Sequence, residues 1–407
     1  MKRKIVWVVV GCLMALSLAA VSCGQKDVEV TIGPGVEVGG GEEEQEEQKP
    51  AEQEQGEQEV EEEEVVDSDQ PRYGGTIVLP ANSNVTWFDP GDWVGGGMTL
   101  DLTMQRLWDG DWSKGNAGGY GTGESDFRSS YDVRDHKMGF IAENVEFVVD
   151  DANDVGKIIY TIRQGVHWAI NEDSAGARIA NGREVTADDV VFSLMRVTRR
   201  TDSMIYRANP ALRTAIIEKT GDWEVTVTVP VSRVLEAAKR FGDSTFPLPQ
   251  DVVEELGDLR NWQNAVGTGP YILKDYVADG SARLVRNDNY WLKNPVGPGQ
   301  GDQLPYIDEV RWLIIPDVST RLAAVRTGKI DAIFDVAFDD AKQLASTAPP
   351  ELIQISQDFA AVSPMYIVTN NPELPFYDVR VRRAMMMSID FATIEESLYD
   401  NSGNLLT

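Results

Sequence analysis

"GTGPYILKDYVADGSARLVRNDNYW", Gly267 to Trp291, packs a Gly-rich corner, alternating apolar residues and two large aromatics into 25 positions, with no His and no Cys. Gly267 and Gly269 flank Thr268 where a strand leaves a tight corner, and Pro270 fixes the exit. The alternation that follows predicts a hairpin, which Tyr290 and Trp291 cap. The stretch carries no catalytic set, so its residues serve folding rather than contact with a ligand.

Outward from it the chain reads as mixed α and β. "DWEVTVTVP" sets Trp223, Val225, Val227 and Val229 on one face and Glu224, Thr226 and Thr228 on the other, the two-residue period of a half-buried strand. "KIIYTIR" and "VRWLIIP" are apolar, β-branched runs of strand length. "TADDVVFSLMRVTRR" offers Thr186 as N-cap with Asp189 three residues on, then Val190, Leu194 and Val197 on one face and Arg199 and Arg200 near the end. "STRLAAVRTGKIDAIFDV" predicts a short helix ended by a left-handed Gly328, followed by a strand from Ile330. In "DVRVRRAMMMSID", Val381, Ala384, Met385, Ser388 and Ile389 fall at helical spacing behind Asp378, and the Met triplet reads as core filler.

Composition limits what such a body can do. The 407 residues are 42% hydrophobic and include 10 Trp, enough to bury the core of one to three domains. A formal net charge of −29 excludes nucleic acid, which needs a basic face to displace phosphate counterions. The charge is concentrated: Glu42 to Asp69 holds 15 acids against one Lys. Repeated Glu and Gln with few large apolar residues cannot bury enough surface to offset ordering entropy, so residues 23–70 read as an acidic, disordered linker. Its stretch from Lys26 to Gln70 would reach roughly 35 to 40 Å as a flexible coil.

Ahead of the linker, "MKRKIVWVVVGCLMALSLAAVSCGQ" sets three cationic residues before an apolar run from Ile5 to about Ala20. Residues 1–22 read as a lipoprotein signal peptide. "AVSC", Ala20 to Cys23, resembles a bacterial lipobox, which makes Cys23 the lipid-attachment residue and the mature N-terminus. "VVGC", ending at Cys12, fits the same pattern but leaves too short an apolar core before it. With Cys12 removed and Cys23 acylated, the folded part has no thiol for a disulfide, a nucleophile or a zinc site.

Five motifs in order then identify a family resemblance: "YGGTIVLPANSNVTWFDP"; "YTIRQGVHW" with "NGREVTADDVVFSL"; Gly267 to Trp291; "PYIDEVRWLIIPDVSTRLAAVRTGKIDA"; and "LPFYDVRVRRAMMMSID". Together they resemble the solute-binding proteins of ABC peptide importers, the group that includes dipeptide, oligopeptide and nickel binders, over about Tyr73 to Tyr399. The resemblance implies an α/β, two-lobe periplasmic-binding-protein-like fold. Residues 71–355 would form the first lobe and residues 356–407 the start of a second lobe that is mostly missing, as in a C-terminally truncated chain. "WAINEDSAGARIA", after His167, is longer and more irregular than the family's usual loop.

The resemblance also implies a mechanism. A solute enters the cleft between lobes, contacts on both sides favour closure, and a membrane permease reads it. Peptides in such clefts are held through backbone hydrogen bonds. Carried over, Val94, Gly95 and Gly96 supply a backbone strip and Trp93 stacks on ligand, the alternative being a core Trp93 beside a glycine turn. The ligand stays open among peptide, opine, sugar and metal chelate, and a sensor that uses the same cleft without transport is the rival to import. The protein is expected to be a monomer outside the cell, anchored by its lipid, with no cofactor, no metal and no catalytic residue. His136 and His167 are too separated to make a metal site, and "GDS", Gly242 to Ser244, has no downstream His to act as base. Trp108 and Trp112 sit where the family places a buried aromatic near a helix end.

Overall fold

The valine face of "DWEVTVTVP" is buried where its period requires. In a computed structural model of the chain, residues 70–92, 97–114, 137–334, 336–347, 349, 352–353 and 371–400 are described. The chain divides into residues 1–65 and 66–407, and every described residue belongs to the second unit. There β4 (Ala142–Asp150), β5 (Val155–Ile162), β6 (Ile216–Gly221) and β7 (Glu224–Val229) form an antiparallel sheet in the order β4-β5-β7-β6. Val225, Val227 and Val229 face its core with Ile158, Tyr160 and Ile162 of β5. Thr226, placed by the alternation on the wet side, is buried too, its hydroxyl paired with that of Thr220 at 2.8 Å.

A second sheet carries the opening hairpin. β8 (Tyr271–Val277) and β9 (Ser281–Arg286) pair antiparallel, β10 (Glu309–Ile314) joins β9, and β1 (Thr76–Ala81) lies parallel to β10 in the register Thr76 with Glu309. Leu79, Leu273, Leu284 and Val310 bury one face of this sheet. A short pair, β2 (Trp108–Gly110) with β3 (Lys137–Gly139), lies beside the first sheet. Trp108 is buried there, with Gly242 so close that a Cβ would fall 2.2 Å from the indole nitrogen.

The glycines of the opening stretch are required by proximity and not by the turn of their own backbone. Neither Gly267 nor Gly269 has a positive φ. A Cβ on Gly267 would lie 1.9 Å from the Thr103 carbonyl oxygen, and one on Gly269 2.5 Å from that of Leu102, because the helix Leu100–Thr103 ends against them. The Gly269 amide donates to Thr103 O at 2.9 Å. Tyr290 and Trp291 close the corner through one side chain: Gln105 donates to the Tyr290 hydroxyl at 2.9 Å and accepts from Trp291 Nε1 at 2.8 Å.

The helix Ala187–Arg199 begins at Thr186 as its capping sequence requires, with Asp189 accepting the Thr186 amide at 3.0 Å and Val190, Leu194 and Val197 buried. Three expectations change. The irregular "WAINEDSAGARIA" contains a helix, Ala175–Ala180, because Ser174 Oγ caps the Ala177 amide and Asn181 ends the turn at φ 46°. The helix Val318–Arg326 reaches Gly328 at φ 63° as expected, but no strand follows from Ile330. Asp331 clasps β1 instead: its amide donates to Val78 O at 2.8 Å and its carboxylate accepts Val78 N at 2.6 Å, so a side chain replaces the next ladder carbonyl. Finally, the helix Val379–Met387 starts at Asp378, yet none of its residues is buried. Met385, Met386 and Met387 are exposed, because no described element packs over that helix face.

Candidate functional site

The Asp89-Pro90 turn is held by charge. Asp89 is fully buried and accepts two hydrogen bonds from the Arg196 guanidinium, at 2.8 and 2.6 Å, with further bonds from the amides of Gly91 at 2.9 Å and Leu259 at 3.1 Å. Burial alone would raise its pKa. The Arg196 hydrogen bonds and charge, with the two amides, outweigh that and bring it down to about 2. Three residues on, Asp92 is gripped by Arg200 and by Arg260, the latter at 2.8 and 2.9 Å, and Arg260 also reaches Asp202 at 2.8 Å. The turn is thus tied to the helix Ala187–Arg199 and to the segment preceding the opening stretch.

Trp93, Val94, Gly95 and Gly96 follow directly and lie outside the described residues, as do Cys23 and His136. On both sides of that gap the chain borders a cavity of about 430 Å³. It is lined by the loop after β1, Asn82 to Trp87, by Gly97 and Met98, and by Trp312 of β10, Arg321 and Phe334. Trp87 is 37% exposed and Phe334 54%, so two large, partly exposed aromatic side chains are among its lining. Exposed aromatics clustered around a concavity are what stacking or apolar side chains of a ligand require.

The loop wall is fixed by the opening hairpin. Asn84 donates its amide to Asp279 at 2.7 Å and accepts the Asp279 backbone N–H at 2.7 Å, where Asp279 takes φ 58° at the β8–β9 turn. The hairpin therefore touches no cavity surface yet pins the wall that forms it. The backbone amides of Asn82 to Thr86 donate to no other backbone group among the described residues. Arg321 braces the end of β10 by donating to the carbonyls of Ile315 at 2.7 Å and Pro316 at 2.9 Å.

Sequence reasoning did not find this cavity. Trp312 sat inside a strand-like run and Arg321 inside a helix, and nothing in either pattern distinguishes a cavity-lining position from a buried one. Other singled-out residues are structural. His167 is exposed and holds Gly182 O at 2.9 Å, while Ser244 of "GDS" is buried beside the π-turn Lys239–Asp243. Among the described residues no group of three His, Cys, Asp or Glu is placed to hold a metal. No helix among them is long and apolar enough to cross a membrane.

Comparison with known proteins gives this geometry its context. Residues 141–407 match the family described as bacterial extracellular solute-binding proteins, family 5 Middle. The oligopeptide-binding protein AppA of Bacillus subtilis strain 168 is 28% identical over 236 residues, 56% of this chain and 40% of the relative. The periplasmic oligopeptide-binding protein OppA of Salmonella typhimurium is 27% identical over 252 residues, 56% of this chain and 43% of the relative. Heme-binding protein A of Haemophilus influenzae is 30% identical over 139 residues, 34% of this chain and 23% of the relative. The chain thus spans less than half the length of these curated relatives. Among solved structures, a dipeptide-binding protein from Pseudoalteromonas sp. SM9913 in complex with Met-Leu superposes with a TM-score of 0.56 at 20% identity, covering 80% of this chain and 59% of that one. That likeness shows the fold, the mixed α/β architecture of the two-lobe binding proteins, and the relatives named are binding proteins rather than enzymes.

Proposed function

Since the chain belongs to the bacterial extracellular solute-binding proteins of family 5, we propose that it captures a peptide or related small solute outside the cell and delivers it to the permease of an ABC importer. In this reading residues 1–22 are the export signal, Cys23 carries the lipid that anchors the protein to the membrane, and residues 23–70 are the tether. Residues 71–355 are the first lobe and residues 356–407 open the second, and the protein works as a monomer.

One observation supports the reading: the cavity brings the partly exposed aromatics Trp87 and Phe334 together with the chain from Asn82 to Thr86, whose backbone amides donate to no other backbone group among the described residues. An extended peptide offers what both need, a run of backbone carbonyls and intermittent large side chains. Val94, Gly95 and Gly96 would lengthen the backbone strip and Trp93 would add a third aromatic face. The buried Asp89–Arg196 pair keeps this edge at fixed geometry, so little ordering is left to be done when ligand arrives.

The test is affinity selection from a random tetrapeptide library on the full-length protein, read by mass spectrometry, with intrinsic Trp fluorescence titrations of the selected peptides. Saturable binding that weakens at least tenfold in Trp87→Ala is the expected result. A protein that retains no peptide from the library, while still unfolding cooperatively, overturns the reading.

A further inference from the structure

Among the described residues that line the cavity, Arg321 is the one that carries a charge. The other polar groups there are neutral, such as Asn82, Ser83 and Thr86. Its Nη1 is committed to the carbonyls of Ile315 and Pro316, which hold the guanidinium in place without neutralising it. No carboxylate among the described residues forms an ion pair or hydrogen bond with it. Asp317, the cap of its own helix, feels its charge, but that carboxylate is occupied by the amide and hydroxyl of Thr320, each at 2.7 Å. Elsewhere Arg196 is paired with Asp89, Arg106 with Asp101 and Asp109, and Arg200 with Asp92, whereas Arg163, like Arg321, donates to backbone carbonyls, but it lines no part of the cavity. Arg321 is thus a half-buried, positioned guanidinium that lines a cavity and has no carboxylate in contact among the described residues. A carboxylate matches that fork in geometry and charge.

We infer that the solute carries a carboxylate that Arg321 receives, so that this cavity prefers ligands bearing a carboxylate over those without one. The inference rests on the peptide-capture reading above and narrows it. Within a peptide the carboxylate has two sources, the free C-terminus or an acidic side chain. A charge-assisted pair of this kind is worth about tenfold in affinity.

The experiment offers the full-length protein three tetrapeptide libraries: free acids without Asp or Glu, the same sequences amidated, and amidated sequences containing one Asp. Dissociation constants of the retained members are then measured by calorimetry. Wild type should bind one carboxylate-bearing set about tenfold more tightly than the amides without Asp. Preference for the free acids identifies the C-terminus, and preference for the Asp set identifies a side chain. Arg321→Gln should abolish the preference for the carboxylate-bearing set over the amides without Asp. Because Arg321 also braces β10, Arg321→Lys serves as the second variant, and retention of at least a threefold preference in it supports the assignment. Equal binding of all three sets by wild type, or an undiminished preference in Arg321→Gln, overturns the inference and leaves peptide capture standing. Failure of every set to bind removes peptide capture itself.

Discussion

Asp89→Ala removes the carboxylate on which the turn beside the cavity depends. The side chain is fully buried, and its partner Arg196 has a side chain only 8% exposed, so the guanidinium left behind cannot recover its hydration without the helix moving. Breaking such a pair from one side costs about 3 to 5 kcal/mol, most of it the uncompensated buried charge. The amides of Gly91 and Leu259 lose their acceptor at the same time. Each orphaned donor would add about 1 to 3 kcal/mol if it stayed dry, although relaxation around the new space makes these costs overlap. Arg200 supplies no rescue, since it lies 3.7 Å from Asp89 and already serves Asp92 and Asp202. We therefore expect a loss of about 4 kcal/mol in urea unfolding at pH 7, seen as a lower midpoint at unchanged slope. The double variant Asp89→Leu/Arg196→Met deletes both charges and should recover at least half of that loss. A single variant within 1 kcal/mol of wild type, or a double variant no better than the single, would refute the argument that the stranded Arg196 charge accounts for most of the loss.

The same carboxyl sets an acid limit: it falls from the ordinary 3.8 to about 2 on folding, so its contribution is complete above about pH 4 and lost as pH drops toward 2. The shift corresponds to about 2 kcal/mol, and Asp89→Asn should flatten the stability profile over that window in pH-dependent urea melts. Gly267→Ala, which drives a Cβ to 1.9 Å from the Thr103 carbonyl, should cost at least about 3 kcal/mol or prevent folding, and a melting temperature within 2 °C of wild type would contradict the close approach. Asp189→Ala should cost about 3 kcal/mol, because the carboxylate joins Arg183 at 2.8 and 2.7 Å to the amides of Thr186 and Gln250, and chemical denaturation reads this directly. Intact-mass analysis of membrane-extracted protein should find a diacylglyceryl-modified chain beginning at Cys23; a water-soluble mature chain beginning elsewhere would remove the anchor from the proposed function.

The local elements were legible because each is specified by neighbours in the chain. The Thr186 to Asp189 capping box, the two-residue period of Val225 to Val229 and the left-handed Gly328 all act within a few residues, where backbone sterics and periodicity leave few choices. The order of these motifs also carried the family. The tertiary structure alone decided what those elements do at a distance. Gly267 and Gly269 read as makers of a corner, but it is a helix end some 160 positions earlier in the chain that leaves no room for a Cβ. Asp89 read as half of an Asp-Pro turn, and only the approach of Arg196 makes it a buried ion pair. Asp331 sat at the start of an apparent strand and became a side-chain clasp on β1. The cavity is the furthest from local control, since Trp87, Trp312, Arg321 and Phe334 come together only when β1 pairs with β10 and the chain beyond the next helix folds back. Hydrophobic pattern states that a side chain must leave water; which surface receives it, and whether a gap is left between receivers, is settled by packing among segments that the linear order keeps apart.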